Sequence, residues 1–525
     1  MRIGVNCFPL KAHIGGLKQQ FTLLFDYLFE HDSANTYVLF HSSENEDELG
    51  NLSTPKWRKD SISLKSQEDI RHHISEIDLY FCPFGVLWPR PVPLPAVVSL
   101  ADIQEQVYPE FFAEGDLLSR AHHFRGSTRC ADAVVTLSEF SKSAISRTHR
   151  ISSSRIFVSH LCADPRYFEA DRIAPDLHPD LPFTDYMLFP ANRWRHKNHD
   201  RLLLAMKLLK KRGMRANAVF TGFDVEGGYS LASHVCDYGL ADQVHIAGYV
   251  SVPELAYLYR HARMLVFPSL FEGFGLPPIE AMAAGCPAVV SKATSLPEIC
   301  GDAARYFDPE SPEEIATAIE EVWSDSSVRE LMIGRGRERA RNFSQARLAR
   351  NLLEAFNAAS QSYSPIRYRW QRYIYQPFHR YRTQVRFWWR SRRRSANGAA
   401  FTVRFSSGWH EREDAGCHWI RWTSGRGRVV VTASRAMDLT VCGTAASLQE
   451  SNGVRLLLNG KVVIDWALSP KFAFESLPPI GMRLRSGRNT IDFCSWKSGV
   501  STEADTRLLA VAFQDLLFEE QGSGH

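Results

Sequence analysis

Short apolar runs alternate with helical patterns twice along this chain, and that alternation is what most restricts its fold. In residues 1 to about 175, strands are expected at Arg2–Phe8, Thr36–His41, Leu79–Cys82, Ala96–Ser99, Ala133–Leu137 and Arg155–Ser159. HIGGLKQQFTLLFDYLFEH reads as a glycine loop opening an amphipathic helix. EADRIAPDLHPDLPFTD, rich in proline and aspartate, reads as a linker. The alternation then restarts. Strands are expected at Tyr186–Phe189, Ala216–Thr221, Gln243–Ala247, Met264–Pro268 and Pro287–Ser291. Helices are expected at His199–Arg212, Val252–Ala262, Pro277–Ala284, Pro312–Ser324 and Val328–Asn342. Strands interleaved with helices build parallel sheets covered on both faces. Two such units in tandem leave a cleft at the carboxyl ends of both sheets, where open α/β sheets bind ligands. The expected division is residues 1–175, then 183–342, with a final helix at about 343–360 packing back on the first unit.

Beyond that helix the chain changes character. RYRWQRYIYQPFHRYRTQVRFWWRSRRR, within a linker at 363–399, interleaves arginines with Tyr, Trp and Phe, and no acidic residue lies between Glu354 and Glu411. Arg367–Arg394 suits an anionic membrane surface, with Phe387, Trp388 and Trp389 at headgroup level. A basic connector packed on protein is the plain alternative, and a nucleic-acid patch is the least favoured. Residues 400–519 read as short strands and turns: RVVVTAS, VRLLLNGKVVIDW, RNTIDFCSW, RLLAVAFQDLLF. Asn459-Gly460 between apolar runs is a hairpin signal. A β-sandwich is expected, with Trp409, Trp419, Trp422 and Trp466 as core residues or as sugar-stacking rings.

Net charge is only +4 over 525 residues and selects no partner. The ten cysteines are scattered, without a C-x-x-C pair, as in reduced, buried thiols of a cytoplasmic protein. The opening MRIGVNCFPL is too short an apolar run for a secretory leader, and no run of 18 apolar residues occurs. No His/Cys cluster or D-x-D at a strand end has metal-ligand spacing, so no metal cofactor is expected.

The chemistry concentrates in FPSLFEGFGLPPIEAMAAGCPAVVS, Phe267–Ser291. Pro277 and Pro278 suit the first turn of a helix, and Gly285 with Pro287 ends it. A glycine loop feeding a helix N-terminus can seat a phosphate. Glu272 before the loop and Glu280 one turn beyond it can accept hydroxyls on either side. The bland alternative is a tight turn with Glu280 merely complementing the helix dipole.

The spacing resembles the E-x7-E motif of retaining glycosyltransferases of family 4, which have the GT-B fold. FPANRWRHKNHDRLLLA, ADAVVTLSEFSKSAI, IFVSHLCADPRYF, VVSLADIQEQVYPEFF and HIGGLKQQ resemble further segments of that family, in the same order, over roughly residues 1–360. The resemblance implies two Rossmann-like domains facing a cleft, followed here by the basic linker and the β-sandwich. It implies a nucleotide-diphosphate sugar donor, a glycan or lipid-linked acceptor, and retaining transfer without a metal. Surface polysaccharide synthesis fits, at the inner face of the plasma membrane. By the same resemblance Glu272 contacts donor-sugar hydroxyls and Glu280 holds the ribose. Phe274, Gly275 and Leu276 offer main-chain N–H groups, Arg193 and Lys197 neutralise the diphosphate, and Gly15, Gly16 and Gly222 join the donor side. Asp102, Gln104 and Ser138 are acceptor-side candidates. One departure stands out: the family's histidine before Asp102 is Ala101 here. A 6-deoxy donor sugar, or substitution by His122 or His123, would accommodate it. The rival readings are a glycan-binding protein with an inactive transferase domain and a nucleotide-sugar epimerase.

Overall fold

The computed structural model describes residues 1–11, 16–53, 56–112, 114–170, 181–223, 231–372, 401–405, 413–415, 418–423, 426–433, 435–447, 452–468, 475–476, 479–497 and 511–520. Two compact units result: residues 1–113 with 120–375, and residues 376–525 with 114–119.

The first unit holds two parallel sheets. Among the described residues the first has seven strands: β1 (Arg2–Asn6), β2 (Thr36–His41), β3 (Ser61–Ser63), β4 (Leu79–Cys82), β5 (Ala96–Ser99), β6 (Ala133–Thr136) and β7 (Ile156–Val158), in the order β3-β2-β1-β4-β5-β6-β7. The second has six: β8 (Met187–Pro190), β9 (Ala218–Thr221), β10 (Val244–Gly248), β11 (Met264–Phe267), β12 (Ala288–Ser291) and β13 (Ala304–Phe307), in the order β10-β9-β8-β11-β12-β13. β4, β6, β9, β11 and β12 are buried along their whole length, which is why they read as uninterrupted apolar runs rather than alternating ones. Strand order reverses between β1 and β4 in one sheet and between β8 and β11 in the other. These are the points where loops diverge to opposite faces and leave a crevice.

Sequence periodicity missed two strands, β3 and β13. Both are edge strands with little full burial, so neither needs an unbroken apolar run. The short helices Leu231–Asp237 and Leu296–Cys300 also escaped it. Thr36–His41, Leu79–Cys82, Ala96–Ser99 and Pro312–Ser324 keep the expected bounds, and other elements shift from them by a few residues.

The helix Gln345–Ser362 follows the second sheet but packs on the first. Leu348, Leu352, Ala355 and Phe356 join the core of Ile3, Val5, Phe25 and Phe81. The Phe356 ring meets Phe81 edge-on at 5.2 Å. Ser159 Oγ donates to the Leu348 carbonyl at 2.9 Å, and Asn351 Nδ2 to that of Val158 at 3.1 Å. The chain therefore passes between the two halves twice. The helix Pro365–Trp370 continues it, and Arg367 is already committed to protein: Nη1 lies 3.2 Å from Asp132 Oδ1, and Nη2 donates to the carbonyls of Arg129 and Ala131. The rest of the basic segment, from residue 373, lies outside the described residues.

In the second unit the described strands are antiparallel. Phe401–Phe405, Arg426–Ala433, Gly487–Ser495, Gly453–Leu458 and Lys461–Ala467 form one sheet in that spatial order. Glu413–Ala415, His418–Thr423, Val511–Glu520, Met437–Ser447 and Glu475–Ser476 form another, with Ile480–Leu484 also pairing to Met437–Ser447. Val429, Val431, Ile491 and Phe493 of the first share a core with Leu439, Val441 and Met482 of the second. Asn459 and Gly460 have φ of 50° and 83°, the left-handed pair that a two-residue hairpin turn requires. Trp466 is half-buried against this core; Trp409 and the side chains of Trp419 and Trp422 lie outside the described residues.

Phe356→Ala should lower the stability of the first unit by about 3–5 kcal/mol, the usual loss for a fully buried phenylalanine. Urea unfolding measures it, and a loss below about 1 kcal/mol would mean the returning helix is not part of that core.

Candidate functional site

Each half sends its loops to the carboxyl end of its sheet, and the candidate residues of the second half gather at the reversal between β8 and β11. From β8 the chain enters the turn Arg195–Lys197 and then the helix His199–Lys211. Asn198, in the left-handed region at φ 64°, joins them; its Nδ2 donates to the carbonyls of Pro268 at 3.0 Å and Pro309 at 2.8 Å. That pins the β8 loop to the end of β11. Gly222, just past β9, has φ 112°, and a Cβ there would sit 2.7 Å from the carbonyl of Ala191. Only glycine lets the two loops lie this close. The guanidinium of Arg193, nearly buried, donates to the Gly222 carbonyl and bridges the same loops.

Lys197 and Glu272 meet across this reversal. Nζ lies 2.6 Å from Glu272 Oε1, with the two side chains 16% and 13% exposed, and Nζ is 5.1 Å from the centre of the Phe267 ring. The ion pair is thus enclosed but still reachable from the cleft. Glu272 is held by its backbone as well: its N–H donates to Thr294 Oγ1 at 3.0 Å, and its carbonyl accepts from Ser295 Oγ at 3.0 Å. Ser295 Oγ also reaches the Phe274 carbonyl at 2.8 Å.

Gly275, at φ 108°, caps the helix Leu276–Ala283, and a Cβ there would lie 2.4 Å from Leu296 Cδ2. The Phe274 side chain is buried against Phe343 and His160, so only its main chain can face the cleft. The loop also abuts the first half. Gly273 leaves room for no Cβ, which would sit 2.6 Å from Asp102 Oδ2 and 3.2 Å from the Ala101 carbonyl. A Cβ on Gly16, at the start of the helix Gly16–His31, would touch Leu276 Cδ2 at 3.5 Å. Gly15 lies outside the described residues.

Glu280 is 4% exposed and faces the interior, where Tyr259 OH donates to its Oε2 at 3.2 Å. Burial pushes its carboxyl up to about 7; Asp164 adds to this, while the hydroxyls of Tyr259 and Tyr167 oppose it. Asp102 is raised too, by burial first and by the neighbouring Glu272 charge, against the pull of the Gln104 N–H, Arg120 and Lys197. The imidazoles of His196 and His199 are driven down to about 2 and about 3 by burial and adjacent cations, so they stay neutral.

The structure brings together Arg193, Lys197, Gly222, Glu272, Phe274, Gly275 and Leu276, with Gly16 and Asp102 opposite. Gln104 donates its N–H to Asp102 Oδ1 at 3.0 Å, and its buried Nε2 has no hydrogen-bond partner among the described residues. Ser138 is fully buried. Its hydroxyl caps the helix Glu139–His149 and donates to the Gly273 carbonyl at 2.8 Å, so it is engaged within the protein rather than turned to an acceptor. Arg195 is exposed on the turn. His122 and His123 pack at Arg90 and Trp88 through their carbonyls and a ring contact. Among the described residues no three His, Cys, Asp or Glu side chains group as metal ligands, and no helix is long and apolar enough to cross a membrane. Sequence reading missed the roles of Tyr259, Tyr167, Asn198 and the segment Thr294–Glu298; Asn198 directly follows Lys197 and Thr294 lies three residues past Ser291, yet no residue pattern marks what they hold.

Because the folded state holds Glu280 protonated to higher pH than the unfolded chain does, its ionisation opposes folding as pH rises from about 4.5 to 7. Glu280→Gln should therefore melt above the wild type at pH 8 and converge with it below pH 4.5, read by thermal melts across pH. Parallel curves at all pH values would refute the buried, raised carboxyl.

Comparison with known proteins agrees with this fold. Residues 182–339 match the family model described as glycosyl transferases group 1. The chain is 31% identical over 265 residues to O-antigen chain mannosyltransferase B of Escherichia coli, covering 50% of this chain and 70% of that protein. It is 28% identical over 225 residues to the O-antigen chain mannosyltransferase RfbU of Salmonella typhimurium, covering 43% and 60%. Sucrose-phosphate synthase from Thermosynechococcus elongatus shares the fold with TM-score 0.55 at 18% identity, over 68% of this chain and 98% of its own. Anabaena HepE, solved with UDP and glucose, does so with TM-score 0.52 at 15% identity, over 68% and 100%. With its two Rossmann-like halves in the GT-B arrangement, its family match and its mannosyltransferase relatives, the chain belongs to the group 1 glycosyltransferases.

Proposed function

We propose that this enzyme moves a hexose, mannose foremost, from a nucleotide-diphosphate sugar to a glycan or lipid-linked acceptor in surface polysaccharide synthesis, with retention at the anomeric carbon. The observation that carries this reading is the Lys197–Glu272 pair at the β8/β11 reversal, 2.6 Å apart and mostly enclosed. A cation placed there faces the negative charge that grows on a departing diphosphate, and preplaced charge lowers a barrier most when it meets charge that develops. Glu272, oriented by Lys197 and by Thr294 and Ser295, keeps an oxygen for donor-sugar hydroxyls. Glu280, the expected ribose contact, is buried against Tyr259 and stays out of the donor's reach as the loop stands, and the N-terminus of Leu276–Ala283 takes the diphosphate with the main chain of Phe274, Gly275 and Leu276. Arg193 and Gly222 hold the β8 and β9 loops in place, and Gly15 and Gly16 approach from the first half. Asp102 and Gln104 line the acceptor side.

The acceptor oxygen bonds to the anomeric carbon on the face from which the diphosphate leaves. The carbon–phosphate oxygen bond breaks with its electrons, and the acceptor's proton passes to that phosphate oxygen. No residue of the enzyme need become covalently attached. Mannose is favoured over a 6-deoxy sugar because the relatives are named mannosyltransferases. Position 101 stays beside the donor loop through its carbonyl, so an alanine there changes side-chain contact without moving the chain.

We read residues 1–175 and 183–342 as the acceptor and donor domains and residues 400–519 as a β-sandwich accessory domain. The arginines beyond Arg367 within 363–399 would hold the enzyme at an anionic membrane, next to a lipid-linked acceptor.

Purified protein should release nucleoside diphosphate from GDP-mannose faster than from dTDP-rhamnose, and Lys197→Ala should lower that rate at least roughly tenfold. Release from no sugar nucleotide in a broad panel, or full activity in Lys197→Ala, would overturn the reading. Deleting residues 365–396 should abolish flotation with anionic vesicles; unchanged flotation would reject the membrane role.

A further inference from the structure

The helix Glu139–His149 of the first half begins with three N–H groups that its own turns cannot satisfy. Ser138 Oγ accepts one, from Ser141, at 3.1 Å. The other two go to the second half: Glu139 N–H donates to Glu298 Oε1 at 2.8 Å and Phe140 N–H to Oε2 at 3.0 Å. His160 Nε2 lies 3.2 Å from the same Oε1. Glu298 thus caps a helix that is 159 residues away in sequence and belongs to the other sheet's half.

The segment carrying Glu298 is the same one that fixes the donor loop. Thr294 Oγ1 accepts the Glu272 N–H, Ser295 Oγ donates to the carbonyls of Glu272 and Phe274, and Leu296 fills the space beside Gly275. Thr294 itself has φ 52°, in the left-handed region, and Arg339 grips the far end through the carbonyls of Glu298 and Ile299 at 2.6 and 2.8 Å. One five-residue strut therefore touches the catalytic carboxylate's backbone at one end and the opposite half at the other. Ser138 and Ser141, on the gripped helix, return the contact by donating to the Gly273 carbonyl at 2.8 and 3.3 Å.

We propose that Glu298 is a positioning residue: by capping the Glu139–His149 helix it couples the approach of the two halves to the placement of Glu272 through the strut Thr294–Glu298. It touches neither donor nor acceptor. Its effect on transfer rests on the function proposed above, whereas its effect on the strut does not.

The test compares Glu298→Ala and Glu298→Gln with wild type in the full-length protein. Residue-resolved amide hydrogen exchange is followed without any sugar nucleotide, and turnover of GDP-mannose is measured in parallel. In Glu298→Ala the Glu139 and Phe140 amides should exchange about tenfold faster or more, and the Glu272 amide should speed up with them. Glu298→Gln, which keeps one acceptor oxygen, should show a smaller change at both places and guards against a misfolded alanine variant. Turnover should fall mainly through kcat, with the melting temperature little changed. Faster exchange at Glu139 and Phe140 with Glu272 unaltered would make Glu298 a local cap and overturn the proposal. Coupled exchange with no turnover of GDP-mannose in wild type would leave the strut standing and count against the donor instead.

Discussion

The Lys197–Glu272 ion pair joins the two loops that part company where the second sheet reverses its strand order. Enclosed on most sides, it is strong only while both partners stay: removal of either would leave a charge with little water, at a cost of about 3–5 kcal/mol. Much of the surrounding architecture serves to keep the two side chains in register. Asn198 ties the β8 loop to the end of β11, Phe267 supplies a ring beneath the ammonium, and Thr294 with Ser295 holds the backbone of Glu272. The pair is also electrically balanced before any ligand arrives. A phosphate entering there meets a cation already oriented by its partner rather than one that must be recruited from solvent.

Glu280 contrasts with Glu272, although the two lie eight residues apart on one motif. Glu272 faces a cation and remains partly open. Glu280 is shut among Tyr259, Tyr167 and the body of the domain, and its carboxyl is raised accordingly. The same residue type is thereby made into two different groups by environment alone, one set up as a charge and one that can hold a proton near neutrality.

How much of this could be read from residues alone depends on where each signal resides. Buried parallel strands such as β9, β11 and β12 must be apolar along their whole length, so they announce themselves; β3 and β13 sit at sheet edges and need no such run. The Asn459-Gly460 turn was legible because two consecutive left-handed residues demand a narrow choice of side chains. The glycine loop and its two glutamates were legible for the same local reason. The tyrosines around Glu280 were not, since they come from the helices Val252–His261 and Pro165–Phe168, and nothing near the motif points to them. Glu298 looks like an ordinary first-turn acid of its own short helix until the fold sets it under another helix's amides. Ser138 shows the opposite case: an expected acceptor contact becomes a cap once burial is known.

The return of Gln345–Ser362 to the first sheet has a consequence for how the chain comes off the ribosome. Synthesis runs from the amino end, and domains generally fold as they emerge. Here the face of the first sheet that Phe356 covers, Phe81 included, stays bare until nearly two hundred further residues have been made. The second half, whose strands are contiguous, can finish first. The nascent protein is therefore born with an oily, waiting surface on its oldest part, and it is a helix close to the end of the catalytic unit that closes it.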